Sequence, residues 1–279
     1  VNKFRTLVDQ VAGLRQYSAN PQQRVRTGFE SIDVLCEGPA PGEVYTILGR
    51  SYSGKSIVAQ NIVVNNADKG SIFFSLEMPY LLAIQRMFAM WSDIDNGIIQ
   101  AQVRDNALTP MLESMAQEMV RHLIVDHSAL SIHDMLYYVS AYEDYFGDRP
   151  DFLLVDYLEL VGGAKTSGEG WIATEAVAQQ MKDLAKQSEL PVFLIHQTNK
   201  TEDAWEPPNS GSARGGGYTE ADFVVGMWRP YLNPRLTWEQ KMRLQDIIRF
   251  DVLKNRVFGK HNPQPLDYRM TSSLRLEVA

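Results

Sequence analysis

The chain has little of what builds disulfide scaffolds, metal cages or membrane spans. Cys36 is the single cysteine among 279 residues, which excludes an intramolecular disulfide, and the five histidines show no metal-ligand spacing with it. No apolar run reaches the length of a bilayer span. The first twenty residues, with Asn2, Lys3, Arg5, Asp9 and Gln10, lack the apolar core of a signal peptide. The expectation is a cytoplasmic protein without membrane contact. There is no internal repeat and no low-complexity tract. Excess positive charge is missing too: 27 Lys and Arg against 34 Asp and Glu give −7, so any nucleic-acid contact must be local.

What is present is a globular composition, 44% hydrophobic, sufficient for a substantial core. Residues 49–56 read Gly49-Arg50-Ser51-Tyr52-Ser53-Gly54-Lys55-Ser56, a complete GxxxxGK[ST] phosphate loop. Glycines let such a loop curl until successive N–H groups face a phosphate at the positive end of the following helix. Lys55 is then placed to reach the β and γ oxygens of ATP, and the Ser56 hydroxyl to hold Mg²⁺. A chance match in a glycine-containing turn is the alternative, and the flanks oppose it. Residues 43–48 read as a buried strand, and Ile57, Val58, Ile62 and Val63 recur at helical spacing after the lysine.

Further apolar strands are expected at 71–75, 123–125, 152–155 and 191–195, with amphipathic helices between them, one face of which carries Leu82, Arg86, Met87 and Met90. Continuous apolar strands alternating with helices indicate an α/β fold with a mainly parallel sheet covered on both faces. Residues 222–228, 247–253, 266–270 and 274–278 have shorter connections and suggest an antiparallel extension. Thr27 is a plausible cap for a short helical turn, and Gly215-Gly216-Gly217 is expected to mark a mobile loop. At the amino end, Phe4, Leu7, Val8, Val11 and Leu14 recur at helical spacing, so residues 1–24 read as a helical arm and connector, and 25–279 as the core domain.

Hydrolysis needs carboxylates beside the phosphate loop. Asp156 closes the strand 152–155 and is placed to serve the metal's water shell; Glu77, after the strand 71–75, is the general base, with Glu159 as competitor. Gln197 closes another strand and is placed to sense the γ-phosphate, whereas His196 beside it reads as a packed residue. Lys254 and Arg256 follow an apolar strand at a spacing that puts both on one face, as a solvated strand end or as functional cations.

Together these residues resemble the RecA-like motor domain of DnaB-type replicative helicases, from about residue 25 to the C-terminus. Thr27-Gly28-Phe29 with Gly42-Glu43 is similar to that family's lead-in to the phosphate loop. Phe74-Ser75-Leu76-Glu77-Met78 is similar to its catalytic-glutamate segment, and Asp156-Tyr157-Leu158-Glu159-Leu160 to its Walker B run, where glutamine is usual at the position of Glu159. Gln197-Thr198-Asn199-Lys200 looks like its sensor segment, and Lys254-Asn255-Arg256 like its Lys-x-Arg pair.

The resemblance implies an ATP- and Mg²⁺-dependent helicase or translocase on single-stranded DNA with 5′-to-3′ polarity, assembled as a homo-hexameric ring in which Lys254 and Arg256 enter the neighbouring subunit's ATP site. It also implies a linker helix at 4–17 that packs on an adjacent subunit. DNA contacts would come from loops carrying Lys165, Lys200 and Arg214, and a loader or primase is an implied partner. The family's N-terminal domain is missing from this chain, and the stretch from Trp228 to Gln245 is expanded. A RecA- or RadA-like recombination ATPase and a KaiC-like regulatory ATPase share the core features, and a metabolic P-loop kinase fits less well because no lid or acceptor motif is evident.

Overall fold

The computed structural model describes residues 6–8, 11–12, 14–15, 24–105, 107, 110–127, 130–156, 170–198, 205–209 and 217–279. Its frame is one nine-stranded sheet with helices on both faces. In chain order the elements are α1 (Glu30–Cys36), β1 (Val44–Gly49), α2 (Lys55–Asn65), β2 (Ser71–Ser75), α3 (Tyr80–Ser92), α4 (Asn96–Arg104), α5 (Pro110–Glu118), β3 (His122–Val125) and α6 (Ile132–Phe146). They continue with β4 (Phe152–Asp156), α7 (Gly170–Ser188), β5 (Val192–Gln197), α8 (Gly217–Glu220), β6 (Phe223–Trp228), a 3₁₀ turn (Pro230–Leu232), α9 (Trp238–Leu244), β7 (Ile247–Asn255), β8 (Leu266–Met270) and β9 (Leu276–Val278).

The strands lie in the order β3-β2-β4-β5-β1-β6-β7-β8-β9. From β3 to β6 every pairing is parallel, and the last three strands are antiparallel. This corrects the expectation for 222–228: β6 runs parallel to β1 and antiparallel pairing begins at β7. The reason is the chain length between β5 and β6, which lets β6 return on the other side of β1 in the same direction, as a tight hairpin cannot. Gly217 opens α8, so the glycine run ends in a helix; 210–216 lie outside the described residues.

Alternation along β1 explains the two-sided core. Tyr45 and Ile47 join one cluster with Val58 and Ile62 of α2, Met87 of α3 and Phe250 of β7. Val44 and Leu48 face the other side and join Met135 and Val139 of α6 and Met181 and Leu184 of α7. Tyr45 packs between Phe193 and Phe223, with ring centroids 5.4 and 5.5 Å away. Burying side chains of this size contributes about 1.5–3 kcal/mol each, which fixes the register of β1 against both neighbours.

Thr27 is not the cap of α1. That position belongs to Phe29, which makes no side-chain cap bond. Thr27 instead donates its hydroxyl to Asp33 Oδ1 at 2.8 Å and accepts the Phe29 N–H at 3.1 Å, so it braces the turn before the helix. At the amino end the described residues 7–8, 11–12 and 14–15 are helical, and Leu7 and Leu14 are 80% and 65% exposed.

Candidate active site

The parallel register brings four strand ends to one edge of the sheet. Gly49, the last residue of β1, lies opposite Gln197 of β5, and Ser75 of β2 lies opposite Asp156 of β4. Since the strand order there is β2-β4-β5-β1, the edge presents in sequence the turn after β2 with Glu77, then Asp156, then Gln197, then the phosphate loop. This is the carboxyl end of the parallel strands, where ligands of open α/β sheets bind.

The loop itself is tightly curled. The Arg50 carbonyl accepts the Ser53 N–H at 3.2 Å, the Ser53 hydroxyl at 2.7 Å and Lys55 Nζ at 2.8 Å. Gly54 caps α2 at φ 96°, a conformation that disfavours any side chain. A Cβ on Gly49 would lie 2.7 Å from both Met227 Cγ and Ser53 Oγ, so close approach rather than turning requires glycine there. Tyr52 adopts φ 65° and is 91% exposed, so a bulky ring stands out from the crown of the loop.

Gln197 Nε2 donates to Ser51 Oγ at 2.5 Å, and Thr198 N–H donates to the Gly49 carbonyl at 3.2 Å. The end of β5 is therefore fastened directly to the phosphate loop. His196 is fully buried, in line with a packed residue.

Asp156 is 1% exposed, and neither carboxylate oxygen has a partner of regular hydrogen-bond geometry, although the Ser56 hydroxyl lies close enough to act on the carboxylate. Its carboxyl is raised to about 6, chiefly by burial and in smaller part by the charge of Glu77, against the pull of the Ser56 hydroxyl and of Lys55 and Arg86. A buried carboxylate with unused lone pairs beside a serine hydroxyl fits a hydrated divalent cation held chiefly through phosphate and water. No cluster of three or more His, Cys, Asp or Glu suited to a metal cage occurs among the described residues.

Glu77 is exposed at the mouth of this edge on a turn that is well braced. The Leu76 N–H donates to the Asp156 carbonyl at 2.7 Å and the Ser75 hydroxyl to the Met78 carbonyl at 2.8 Å. Met78 Sδ is contacted by Gln60 Nε2 at 3.4 Å and Arg86 Nη1 at 3.7 Å. Arg86 is the residue the sequence pattern misplaced. Its helical spacing put it on an apolar face, yet the guanidinium is partly buried beside the Glu77 turn and its charge acts on Asp156. A lone cation in an otherwise apolar stripe was the available signal.

Lys254 and Arg256 are not at this edge. Lys254 lies opposite Val224 and Asn255 opposite Phe223, at the start of β6 and so at the far end of the sheet from the phosphate loop. The two do converge: Lys254 Nζ donates to the carbonyls of Tyr218 and Thr219, both at 2.8 Å, and Arg256 Nη2 to Thr219 at 3.3 Å. Lys165, Lys200, Arg214 and Glu159 lie outside the described residues. Among the described residues no helix is long and apolar enough to cross a membrane.

Comparison with known proteins gives concordant results. The family model for the DnaB-like helicase C-terminal domain matches residues 24–269. The replicative DNA helicase DnaB of Haemophilus influenzae is 26% identical over 218 residues, covering 74% of this chain and 46% of that protein. The DnaB of Helicobacter pylori is 25% identical over 219 residues, covering 75% and 44%. The chain thus spans about half the length of the curated relatives it matches. A solved ATPase domain superposes with a TM-score of 0.79 at 18% identity, over 99% of this chain and all of that one. A DnaB-like replicative helicase, solved in a study of its interactions with primase, gives 0.76 at 17% identity over 98% of this chain and 67% of that one. At such identities these likenesses show the shared fold.

Proposed function

Because the chain belongs to the DnaB-like helicase C-terminal domain family, we propose that it is an ATP-hydrolysing motor that works on single-stranded DNA as a homo-oligomeric ring, with its nucleotide sites at subunit interfaces. The observation that carries this reading is the division of the machinery between the two ends of one sheet. The phosphate loop, Glu77, Asp156 and Gln197 share the carboxyl edge, whereas Lys254 and Arg256 sit at the opposite end of β6. In one subunit the two cations are too far away to touch the phosphates. On this reading they serve the site of a second copy.

The roles follow from position. The loop N–H groups and Lys55 bind the phosphates of ATP. Ser56 and Asp156 would hold Mg²⁺, which would supply neutralisation of the phosphate charge. Glu77 accepts the proton of the attacking water, and the exposed setting of its turn leaves that carboxylate accessible to solvent. Gln197, bonded to Ser51 at the loop, registers the γ-phosphate and is continuous with the segment after β5. Lys254 and Arg256 from the neighbour stabilise charge on the transferred phosphoryl group.

Ring assembly has a surface to match. Leu81, Ile84, Phe88, Ile99, Val103 and Leu112 line an apolar groove between α3, α4 and α5. The exposed leucines of the amino-terminal helical segment, Leu7 and Leu14, offer an apolar face of the kind that fills such a groove. We assign that groove to the amino-terminal segment of the next copy. A hexamer is the ring size the family implies, and a primase or loader is the corresponding protein partner.

The test is steady-state ATP hydrolysis of assembled protein with and without single-stranded DNA, with Glu77→Gln as control. Turnover is expected to rise with DNA, and Glu77→Gln to keep ATP affinity while losing roughly two orders of magnitude in turnover. An assembled protein indifferent to DNA contradicts the motor reading and leaves a partner-switching ATPase.

A further inference from the structure

We infer that Lys182, on α7, is a positioning residue for the trans cation Arg256, acting through the buried carboxylate of Asp222. The inference rests on the reading that Arg256 serves a neighbour's nucleotide site. Lys182 and Asp222 are far from the phosphate loop, and no motif marked either of them.

Asp222 precedes β6 and is nearly inaccessible. Its backbone is fixed on both sides: its N–H donates to the Val44 carbonyl at 2.9 Å, and its carbonyl accepts the Arg256 N–H at 2.9 Å. Oδ2 accepts the Val44 N–H at 2.8 Å and Lys182 Nζ at 2.5 Å, while Lys182 Nζ also donates to the Gly42 carbonyl at 2.9 Å. Oδ1 faces Arg256 Nη1 at 3.5 Å, the limit of a hydrogen bond. The side chains of Lys182 and Asp222 are 11% and 8% exposed, whereas that of Arg256 is 55% exposed.

The asymmetry of the two carboxylate oxygens is the informative part. A guanidinium beside a free carboxylate closes into a two-point, short-range pair. Here Lys182 occupies one oxygen and offsets the negative charge, so Arg256 is left with two long contacts, to Oδ1 and to the Thr219 carbonyl at 3.3 Å. The arginine is aimed by its backbone bond to Asp222 but is not captured by its side chain. Removing Lys182 leaves a buried, uncompensated carboxylate whose nearest cation is Arg256. The outcome is a finger withdrawn from the neighbour.

Three groups of measurements test this. Lys182→Met is expected to bind ATP as the wild type does and to lose turnover by roughly tenfold or more, whereas Lys182→Arg retains it. Mixed with Lys55→Ala protein, Lys182→Met should regain activity, because its intact sites meet intact fingers; mixed with Arg256→Ala it should not. The double variant Lys182→Met with Asp222→Asn removes the trap and keeps an acceptor for Val44, so turnover is expected within about threefold of wild type.

The opposite complementation pattern, rescue by Arg256→Ala and none by Lys55→Ala, would assign Lys182 to its own subunit's site through Gly42 and β1 and overturn the proposal. Unchanged turnover in Lys182→Met overturns it as well. Should that variant fail to fold, a folded double variant with the turnover of Arg256→Ala does the same. If Lys55→Ala and Arg256→Ala fail to complement each other, the trans reading itself falls and this inference with it.

Discussion

At the scale of single residues, the site is defined by groups held in states that are costly in the absence of ligand. Asp156 is the clearest. Its folded carboxyl, near 6, lies above its ordinary value of 3.8, which corresponds to roughly 3 kcal/mol favouring the neutral form. The sign follows from linkage: a carboxyl raised on folding costs stability while ionised, and that cost disappears as pH falls through the folded value. Asp156→Asn is therefore expected to raise the urea midpoint of nucleotide-free protein at pH 8 by up to about 3 kcal/mol equivalent, with the gain shrinking toward pH 4. Equal gains at both pH values would show that Asp156 is not ionised against its environment. Most of these residues were legible in the sequence because phosphate chemistry dictates their type and spacing. Arg86 and Lys182 were not, since each lies beside buried apolar positions of its helix, Met87 and Met90 for one and Met181 and Leu184 for the other, and each takes its meaning from a residue distant in the chain.

At the scale of elements, the fold was legible wherever strands are buried on both faces. Runs such as Phe152–Asp156 have no polar alternative and read as strands directly. Strand direction was less accessible. The apolar run at β6 looks the same whether parallel or antiparallel, and only its pairing with β1 decides. That pairing has a consequence at the phosphate loop, because β6 brings Met227 against Gly49. Gly49→Ala is expected to destabilise by about 1–3 kcal/mol through overpacking at the strand end and to weaken nucleotide binding in a filter-retention assay. A variant with unaltered melting temperature and affinity would mean that β6 does not close on the loop as described. The bracing of the Glu77 turn through Ser75, Gln60 and Arg86 was likewise invisible in sequence, since it depends on α2 and α3 meeting over Met78.

At the scale of the whole molecule, the residues proposed to make up the ATP site do not lie in one place within a subunit. The sheet separates the phosphate loop at the ends of β1 and β5 from the cations at the start of β6, so the proposed motor requires a second copy to complete a site. Turnover per subunit is accordingly expected to rise with protein concentration until assembly saturates, as read by hydrolysis assays beside sedimentation velocity. Whether a site is completed in trans is decided by hydrolysis in mixtures of Lys55→Ala and Arg256→Ala protein across all ratios. Each alone is expected to be inactive, and the mixture active with a maximum near equal proportions, where interfaces joining a sound site to a sound finger are most numerous. Mixed assemblies, verified to form, that stay inactive at every ratio would contradict a site completed in trans.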